Sequence, residues 1–384
     1  MKASPQLSAV ESPTRVTHPP NVPPPTQFVP RHLRGVICGI GLAVLSLGAS
    51  LADAQPILPP TSTVASTVPN NKDVNPYGIA FVPAGVPAGG MLQPGDVVVS
   101  NFNAASNKQG TGTTIVKLVT DGKPVLFFQG QNLGLTTALA VLKSGYVLVG
   151  NLPTTNGSTI TSTGSLLVIT PKGELLSELK DATLLDGPWD MTVLIDNGPQ
   201  VTVFVSNVLN GTVARIDLHI GASSATLLPS SHLIASGYAH RPDAAALVIG
   251  PTGLAYDAAH DVLYVASTND NKVFALSGAS ALAHANGPGS VIYQDSAHLR
   301  GPLALALAPN GDLVTANGDA INADPNQASE IVEFTPQGQF VAQMQVDPSA
   351  GSAFGLAFGL SSSSQSQFAA VNDNTNTVTV WTLR

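Results

Sequence analysis

A repeat of about fifty residues, present six times, constrains what this chain can fold into. The clearest copy spans residues 250–276, where short β-branched and aromatic runs alternate with Gly, Pro, Asn and Asp. Such runs between turn residues are typical of strands in an antiparallel meander. A small residue follows the turn at the start of each copy; these residues are Ala80, Ala140, Thr192, Ala255, Ala306 and Ala357. Their spacings of 60, 52, 63, 51 and 51 residues are those of propeller blades.

Each copy has a second apolar run, then a third, and most have a fourth. This pattern predicts an all-β fold, a six-bladed β-propeller of four-stranded antiparallel blades. The last copy lacks one strand because only 27 residues follow Ala357. We expect the β-branched segment at residues 61–68 to supply the outer strand of the last blade and to remove an exposed sheet edge. A two-sheet sandwich is the alternative.

The residues GPTGLAYDAAHDVLYVASTNDNKVFAL at 250–276 resemble the repeat of the NHL family. In that repeat, a Gly-Leu/Ile-Ala opening is followed by a strand and an Asn-rich turn. The resemblance extends from about residue 75 to residue 383 and is strongest in the first, fourth, fifth and sixth copies. It implies a propeller fold but no particular activity, because propellers support many unrelated functions.

The first 54 residues differ in character from the repeats. Residues 1–30 are rich in Pro, Ser, Thr and Val, which predicts disorder. Residues 31–54 combine a basic flank, an apolar run and the small-residue exit Ala52-Asp53-Ala54. They are predicted to be a secretory signal peptide cleaved after Ala54. An uncleaved anchor is the alternative, although the apolar run is short for a membrane span. Residues 55–384 are expected to form a single domain, secreted or periplasmic.

Removal of the leader changes the charge and the available chemistry. Cys38 is the only cysteine, so the mature chain would have no disulfide and no thiol chemistry. Four basic and two acidic residues leave with the leader, and the remaining 12 basic and 22 acidic residues give a net charge of −10. This balance argues against a nucleic-acid partner and against a polybasic membrane contact. We expect a monomer without a cofactor that binds a small molecule, a glycan or an envelope protein.

The predicted topology indicates where a site would lie. In each blade, the segment before the first strand and the turn after the second strand share one end of the ring. The turns at residues 101–113, 151–164 and 317–329 are long, and we expect them to surround a depression over the central channel, since loops on a rigid scaffold often have functional roles. Tolerated surface insertions are the alternative. The residues expected at the channel mouth are Tyr77, Thr136, Trp189, Asp190, Thr252, Leu303 and Phe354.

Two features of this face are candidates for ligand binding. Trp189 could stack on a sugar or another flat ligand while Asp190 accepts a hydrogen bond; alternatively, Trp189 plugs the channel and Asp190 caps a turn. Asparagines near the ends of the second strands are the other candidates. A structural role is their alternative, because Asn hydrogen-bonds its own backbone at turns. These residues are Asn101, Asn151, Asn207, Asn269, Asn317 and Asn372.

The residues Asp186-Gly187-Pro188-Trp189 resemble the acidic-Gly-Pro-x-Trp opening of the gluconolactonase/senescence-marker family of six-bladed, metal-dependent lactonases. In that family the acidic residue binds a divalent ion together with Asn and Asp from other blades. The resemblance implies an alternative function, a lactonase-like hydrolase with its site in the central channel. Asp186 and Asp190 would then bind a divalent cation such as Ca²⁺. Nucleophile elbows, phosphate-binding Gly-Lys-Ser/Thr loops and His-Glu zinc motifs are absent from the sequence, and whether the protein is an enzyme is left open.

Overall fold

The computed structural model describes residues 56–118, 124–131, 133–154, 156–318, 321, 330–348 and 353–383. They belong to one compact unit, Asp53–Arg384. Within these ranges the only helix is the single 3₁₀ turn Ala279–Ala281. None of the described residues forms a helix that is both long and apolar enough to cross a membrane. The leader, the signal peptide with Cys38 and most of the loop at residues 317–329 lie outside the described residues.

Six antiparallel sheets confirm the predicted propeller. The first two blades each have four strands that pair in chain order, as the alternation of apolar runs and turns predicts. Blade 1 consists of Val74–Phe81, Val97–Asn103, Thr114–Leu118 and Pro124–Gln129. Blade 2 consists of Leu139–Val141, Val147–Asn151, Ser165–Ile169 and Leu175–Leu179.

Blade 3 departs from the simple meander at its outer edge. Its first three strands are Pro188–Asn197, Gln200–Asn207 and Thr212–Ile220. Two short strands, Ala225–Leu227 and His232–Ser236, both pair with the third and share the outer position. A separate hairpin of Arg241–Asp243 and Leu247–Ile249 follows. Residues 218–249 therefore contain the outer edge of blade 3 and this additional hairpin.

Blades 4 and 5 again have four strands that pair in chain order. The fourth strand of blade 6 comes from the other end of the domain. Blade 4 consists of Pro251–Asp257, Val262–Ser267, Lys272–Ser277 and Ser290–Tyr293. Blade 5 consists of Pro302–Leu307, Leu313–Asn317, Ile331–Phe334 and Phe340–Met344. Blade 6 consists of Ala353–Leu360, Ser366–Asn372, Thr377–Thr382 and the N-terminal strand Ser62–Ser66.

The N-terminal strand closes the ring as predicted. Ser62–Ser66 pairs antiparallel with Thr377–Thr382, so the last blade is completed by the start of the domain. The backbone N–H of Thr67 extends the pairing with a 2.9 Å hydrogen bond to the carbonyl of Asn376. Ala65 packs against the apolar cluster shared by blades 6 and 1, whereas its neighbour Val64 is 63% exposed.

The first strands of the blades approach one another closely around the channel. This approach explains the glycine in the opening of several repeats, because a Cβ atom added to Gly355 would lie 1.9 Å from the carbonyl oxygen of Tyr77 in the next blade. Hydroxyl groups connect adjacent blades at the same level. Ser206 Oγ donates to the carbonyl of Thr252 at 2.6 Å, and Thr268 Oγ1 donates to the carbonyl of Pro302 at 2.7 Å. These bonds satisfy buried carbonyl groups that would otherwise be costly.

Substitutions on the closing strand test this architecture. We expect Ala65→Asp to lower the free energy of unfolding by about 2 kcal/mol or more, because it places a carboxylate against the apolar cluster between blades 6 and 1. Val64→Asp is the matched control on the same strand, and its exposed side chain should make the cost about 1 kcal/mol or less. Urea unfolding of both variants measures the difference. Equal stability of the two variants would contradict the packing of this strand.

Candidate functional site

A pocket of about 660 Å³ lies at the mouth of the central channel. Every blade contributes to its lining, and its volume is in the range typical of small-molecule sites. The residues from the blades include Tyr77, Phe102, Leu135, Trp189, Thr252, Leu303, Gly318, Phe354 and Asp373. Five residues expected at the channel mouth, Tyr77, Trp189, Thr252, Leu303 and Phe354, are therefore brought together here.

The floor of the pocket is a cluster of aromatic rings centred on Tyr77. Its ring centroid lies 5.6 Å from that of Phe102, 5.7 Å from that of Trp189 and 4.9 Å from that of Phe354. Trp189 Nε1–H donates a 2.7 Å hydrogen bond to the Tyr77 hydroxyl. Burial raises the pKa of Tyr77 far above its usual range, so the phenol stays neutral. The rings thus form a rigid apolar floor.

One wall of the pocket is the hairpin that precedes blade 4. Its residues Arg241, Asp243 and 244–246 line the pocket together with Val248 and Ile249. Gln109 Nε2, from the long loop of blade 1, donates a 2.5 Å hydrogen bond to the carbonyl of Ala245. The hairpin is therefore joined to blade 1 at the mouth of the channel.

The sequence did not identify this wall as part of a site. The segments that enter the blades share one face of the ring. The position of residues 241–249 directly before blade 4 could therefore have indicated that they lie beside the channel mouth. Of the three long loops, that of blade 1 contributes Gln109 to the pocket. The loop of blade 2 contacts the hairpin instead, where Thr159 and Ile160 line a smaller cavity with Pro242 and Leu247.

The charged groups at the rim differ in their partners. Arg241 Nη1 lies 3.0 Å from Asp243 Oδ2, and Arg241 Nε donates to Asn269 Oδ1 at 3.2 Å. The backbone N–H of Ala246, with other donors and Arg241, holds the pKa of Asp243 below its usual value. Asp373 comes from blade 6, and burial raises its pKa to about 7. The backbone N–H groups of Asn374 and Asp373 act in the opposite direction, and the charges of Asp347 and Glu330 act in the same direction as burial. The rim thus has one ion pair and one further carboxyl group.

Beneath the aromatic floor lies an inner cavity of about 30 Å³, large enough for roughly one water molecule. It reaches the positions where the first strands come closest to the axis. The register between the first and second strands shows that one residue of each blade occupies this position. These residues are Gly78, Ala138, Asp190, Gly253, Ala304 and Gly355. Five of the six are Gly or Ala, and the sixth is Asp190. In blade 3 a carboxylate therefore occupies the space that the small residues leave open in the other blades.

Asp190 serves as a connection between blades. Its Oδ1 accepts the N–H of Met191 and its Oδ2 accepts the N–H of Leu254 in blade 4, both at 2.8 Å. Burial raises the pKa of Asp190 to about 7, although the two hydrogen bonds act in the opposite direction. Asp190 lines the inner cavity, whereas Trp189 lies between that cavity and the pocket. The two residues are therefore not presented side by side to a ligand in the pocket.

Thr136 does not lie at the position that the sequence analysis assigned to it. The residue equivalent to Tyr77 and Trp189 is Thr137, three residues before the small residue Ala140, and Thr137 lines the inner cavity. Thr136 is buried, and its carbonyl accepts a 2.5 Å hydrogen bond from Ser100 Oγ. Two adjacent threonines, Thr136 and Thr137, open this blade, so the sequence alone does not distinguish which of them occupies the position.

Five of the six asparagines hydrogen-bond the segment that enters their own blade. Asn207 is the clearest case: its Oδ1 accepts the N–H of Asp186 at 3.1 Å, and its Nδ2 donates to the carbonyl of Leu184 at 3.0 Å. Asn317 makes the same pair of bonds with Arg300 and His298. Each amide thus fixes the start of a first strand.

The other three make variants of this contact. Asn101 bonds the carbonyl of Thr67, Asn151 the N–H of Gly134, and Asn372 the carboxylate of Asp347. Asn269 differs, because Ser267 occupies the equivalent position in blade 4. Asn269 instead accepts the hydrogen bond of Arg241 beside the pocket. A structural role, the alternative to ligand binding, therefore accounts for the contacts of five of the six asparagines.

Asp186 and Asp190 do not fit a shared site for a divalent cation. Asp186 lies near Asn210 and His240 and lines neither the pocket nor the inner cavity. Both oxygens of Asp190 already accept backbone N–H groups. Within the described ranges, no group of three or more His, Cys, Asp or Glu side chains is placed to hold a metal ion. These carboxylates thus do not provide the converging oxygen ligands that calcium requires.

Comparison with known proteins shows a shared fold. No protein-family model matches the chain, and no curated protein matches it. A gluconolactonase from Xanthomonas campestris is 12% identical with a TM-score of 0.55, over 85% of this chain and 91% of that chain. Regucalcin, a calcium-binding protein from Agrobacterium tumefaciens, is 13% identical with a TM-score of 0.50, over 83% and 94%. A chain of the nidogen/laminin complex is also 13% identical with a TM-score of 0.50, over 76% and 87%. At these identities the likeness establishes the propeller fold alone.

Removal of one asparagine amide tests the structural role of the series. We expect Asn207→Ala to lower the free energy of unfolding by about 2 to 4 kcal/mol, because it leaves buried backbone groups of Asp186 and Leu184 unpaired. Asn269→Ala, the matched control, should cost about 1 kcal/mol or less because its hydrogen bond with Arg241 is exposed. Thermal and urea unfolding measure both variants. A larger loss for Asn269→Ala would contradict the assignment.

Proposed function

We propose that this chain is an exported binding protein that takes a small molecule into the pocket at the channel mouth. The observation behind the proposal is the pocket itself: about 660 Å³ at the point where all six blades converge, with an aromatic floor and a polar rim. Apolar walls with a few placed polar groups are the usual composition of small-molecule sites. The concave shape favours a small ligand over a flat protein surface.

The rigidity of the floor supports a binding role. Tyr77 and Trp189 are each 6% exposed and are held by their mutual hydrogen bond. Gln109 joins the hairpin to the loop of blade 1, so the wall is fixed as well. A site that is ordered before the ligand arrives loses less conformational entropy on binding.

The side chains of the pocket favour binding over nucleophilic catalysis. Its described lining contains no His, Ser, Cys, Lys or Glu. The hydroxyl of Thr252 is already hydrogen-bonded to Thr268 and to the carbonyl of Pro302. A nucleophile needs a neighbouring base within hydrogen-bond reach, and the described lining offers no such pair.

The two tryptophans of the chain allow a direct binding assay. Trp381→Phe, in the core of blade 6, leaves Trp189 in the pocket floor as the single tryptophan, which can be excited selectively. We expect some compounds from a library of cationic, neutral and anionic small molecules to change its emission saturably. Phe354→Ala should then weaken binding at least tenfold, equal to about 1.4 kcal/mol, because it removes part of the floor.

Leu360→Ala is the matched control for this assay. Leu360 lies on the same strand as Phe354 but is 44% exposed on the far end of the blade, so its loss should leave the affinity unchanged. If no compound of any class changed the Trp189 emission, the proposed function would be wrong.

Export is tested by the N-terminus of the mature protein. We expect the full-length chain, expressed in a bacterium with a working secretion pathway, to leave the cytoplasm and begin at Gln55, because the small-residue exit ends at Ala54. Edman degradation or intact mass of the exported protein measures this. Replacement of Ala54 by Arg should block cleavage. Retention of the intact leader on cytoplasmic protein would contradict the proposal.

A further inference from the structure

We propose that the ligand of the channel-mouth pocket is an organic cation, with its charged nitrogen above the aromatic floor and within reach of the carboxyl group of Asp373. This inference rests on the proposed function and specifies its ligand class. Three observations support it: the chemistry of the floor, the balance of charge at the rim, and the surroundings of Asp373.

The floor is suited to a cation with an apolar surface. Tyr77, Phe102, Trp189 and Phe354 all line the pocket, and aromatic faces attract ammonium groups that lie within about 6 Å of the ring centroid. The hydroxyl of Tyr77 accepts the hydrogen bond of Trp189, which leaves few polar groups in the floor. An alkylated ammonium, which needs few hydrogen-bond acceptors, matches this surface better than a strongly hydrated primary amine.

The charges around the pocket sum to an acidic environment. Arg241 is paired with Asp243, so these two charges offset each other. Asp373 is the third charged side chain of the described lining, and it forms no ion pair with another described residue. The carboxyl group of Asp190 lies directly below the floor. An anion would therefore meet acidic groups from the side and from below, whereas a cation would be attracted.

The surroundings of Asp373 favour an incoming positive charge. Its Oδ1 is buried without a hydrogen-bond partner in the described part of the chain, and so is Oδ1 of Asn75, another lining residue. Behind Asp373 lie Asp347 and Glu330, whose charges oppose its ionisation. Asp347 accepts the amide of Asn372, and Glu330 accepts the backbone N–H of Val346. A cation beside Asp373 would offset the burial and repulsion that keep its pKa near 7.

This arrangement predicts how binding depends on pH. The cation favours the ionised carboxylate, so affinity should rise as pH rises through the pKa of Asp373, which is about 7. The other groups that face the pocket are Asp243, with a lowered pKa, Tyr77, with a strongly raised one, and the paired Arg241. Asp190 also has a pKa of about 7, and it lies in the inner cavity.

The test compares choline and benzyltrimethylammonium with the neutral isostere of choline in which carbon replaces nitrogen. These ammonium ions do not titrate, so any pH dependence belongs to the protein. Calorimetry and Trp189 fluorescence in the Trp381→Phe chain should show at least tenfold tighter binding of the cation than of its isostere. From about pH 6 to about pH 8 the affinity for the cation should rise about tenfold, and that for the isostere should stay constant.

Three variants locate the effect. Asp373→Asn should weaken binding of the cation, leave only the smaller preference over the isostere that the aromatic floor provides, and abolish the pH dependence. Asp190→Asn should retain the pH dependence, which separates the two carboxyl groups. Glu178→Gln on the outer strand of blade 2 removes the same charge at a distance and should leave binding unchanged. If Asp373→Asn fails to fold, the comparison of cation and isostere in the unmodified chain still decides the question.

The outcomes also separate this inference from the proposed function. Equal affinity for the cation and its isostere, or binding of neutral or anionic library compounds alone, would overturn the cation assignment and leave a ligand-binding propeller. Failure of every compound class to perturb Trp189 would overturn both.

Discussion

The pairing of the N-terminal strand with the last blade is the constraint on which the rest of the structure depends. Ser62–Ser66 hydrogen-bonds Thr377–Thr382 across more than 300 residues of chain, and this pairing holds blade 6 beside blade 1. The described residues contain no cysteine, and ring closure among them relies on backbone hydrogen bonds and on the apolar cluster between these blades. A closed ring also leaves no long unpaired edge within it.

Closure brings six first strands together at the axis, and their small residues determine the shape of the centre. Gly78, Gly253 and Gly355 let neighbouring backbones approach within contact distance. One step towards the mouth, the residues are larger: Tyr77, Trp189, Leu303 and Phe354 fill the channel and form the floor of the pocket. The same repeat that specifies the blades therefore also places a ring of side chains where a ligand can reach them.

The sequence predicted the blades and the closing strand because both depend on local patterns. Apolar runs, turns and the missing last strand were sufficient for six blades and for Ser62–Ser66. Single positions were harder to predict. Thr137 occupies the position expected for its neighbour Thr136, because two adjacent threonines open blade 2. Ser267 replaces Asn in blade 4, where Asn269 lies two residues further on. The hairpin at residues 241–249 was not predicted, since its strands of three residues are too short to produce a periodic signal.

Two carboxyl groups near the axis show how similar burial can have different consequences. Burial raises the pKa of both Asp190 and Asp373 to about 7, so the stability that each contributes is fully present below the unfolded pKa, near 3.8, and is lost as pH rises through 7. Both oxygens of Asp190 accept hydrogen bonds from backbone N–H groups, one in each of two blades. Its carboxyl group therefore has its partners within the fold. Asp373 has a buried oxygen without a partner among the described residues. Its ionisation is therefore costly to the protein alone, and a bound cation would reduce that cost at the pH where the carboxylate forms.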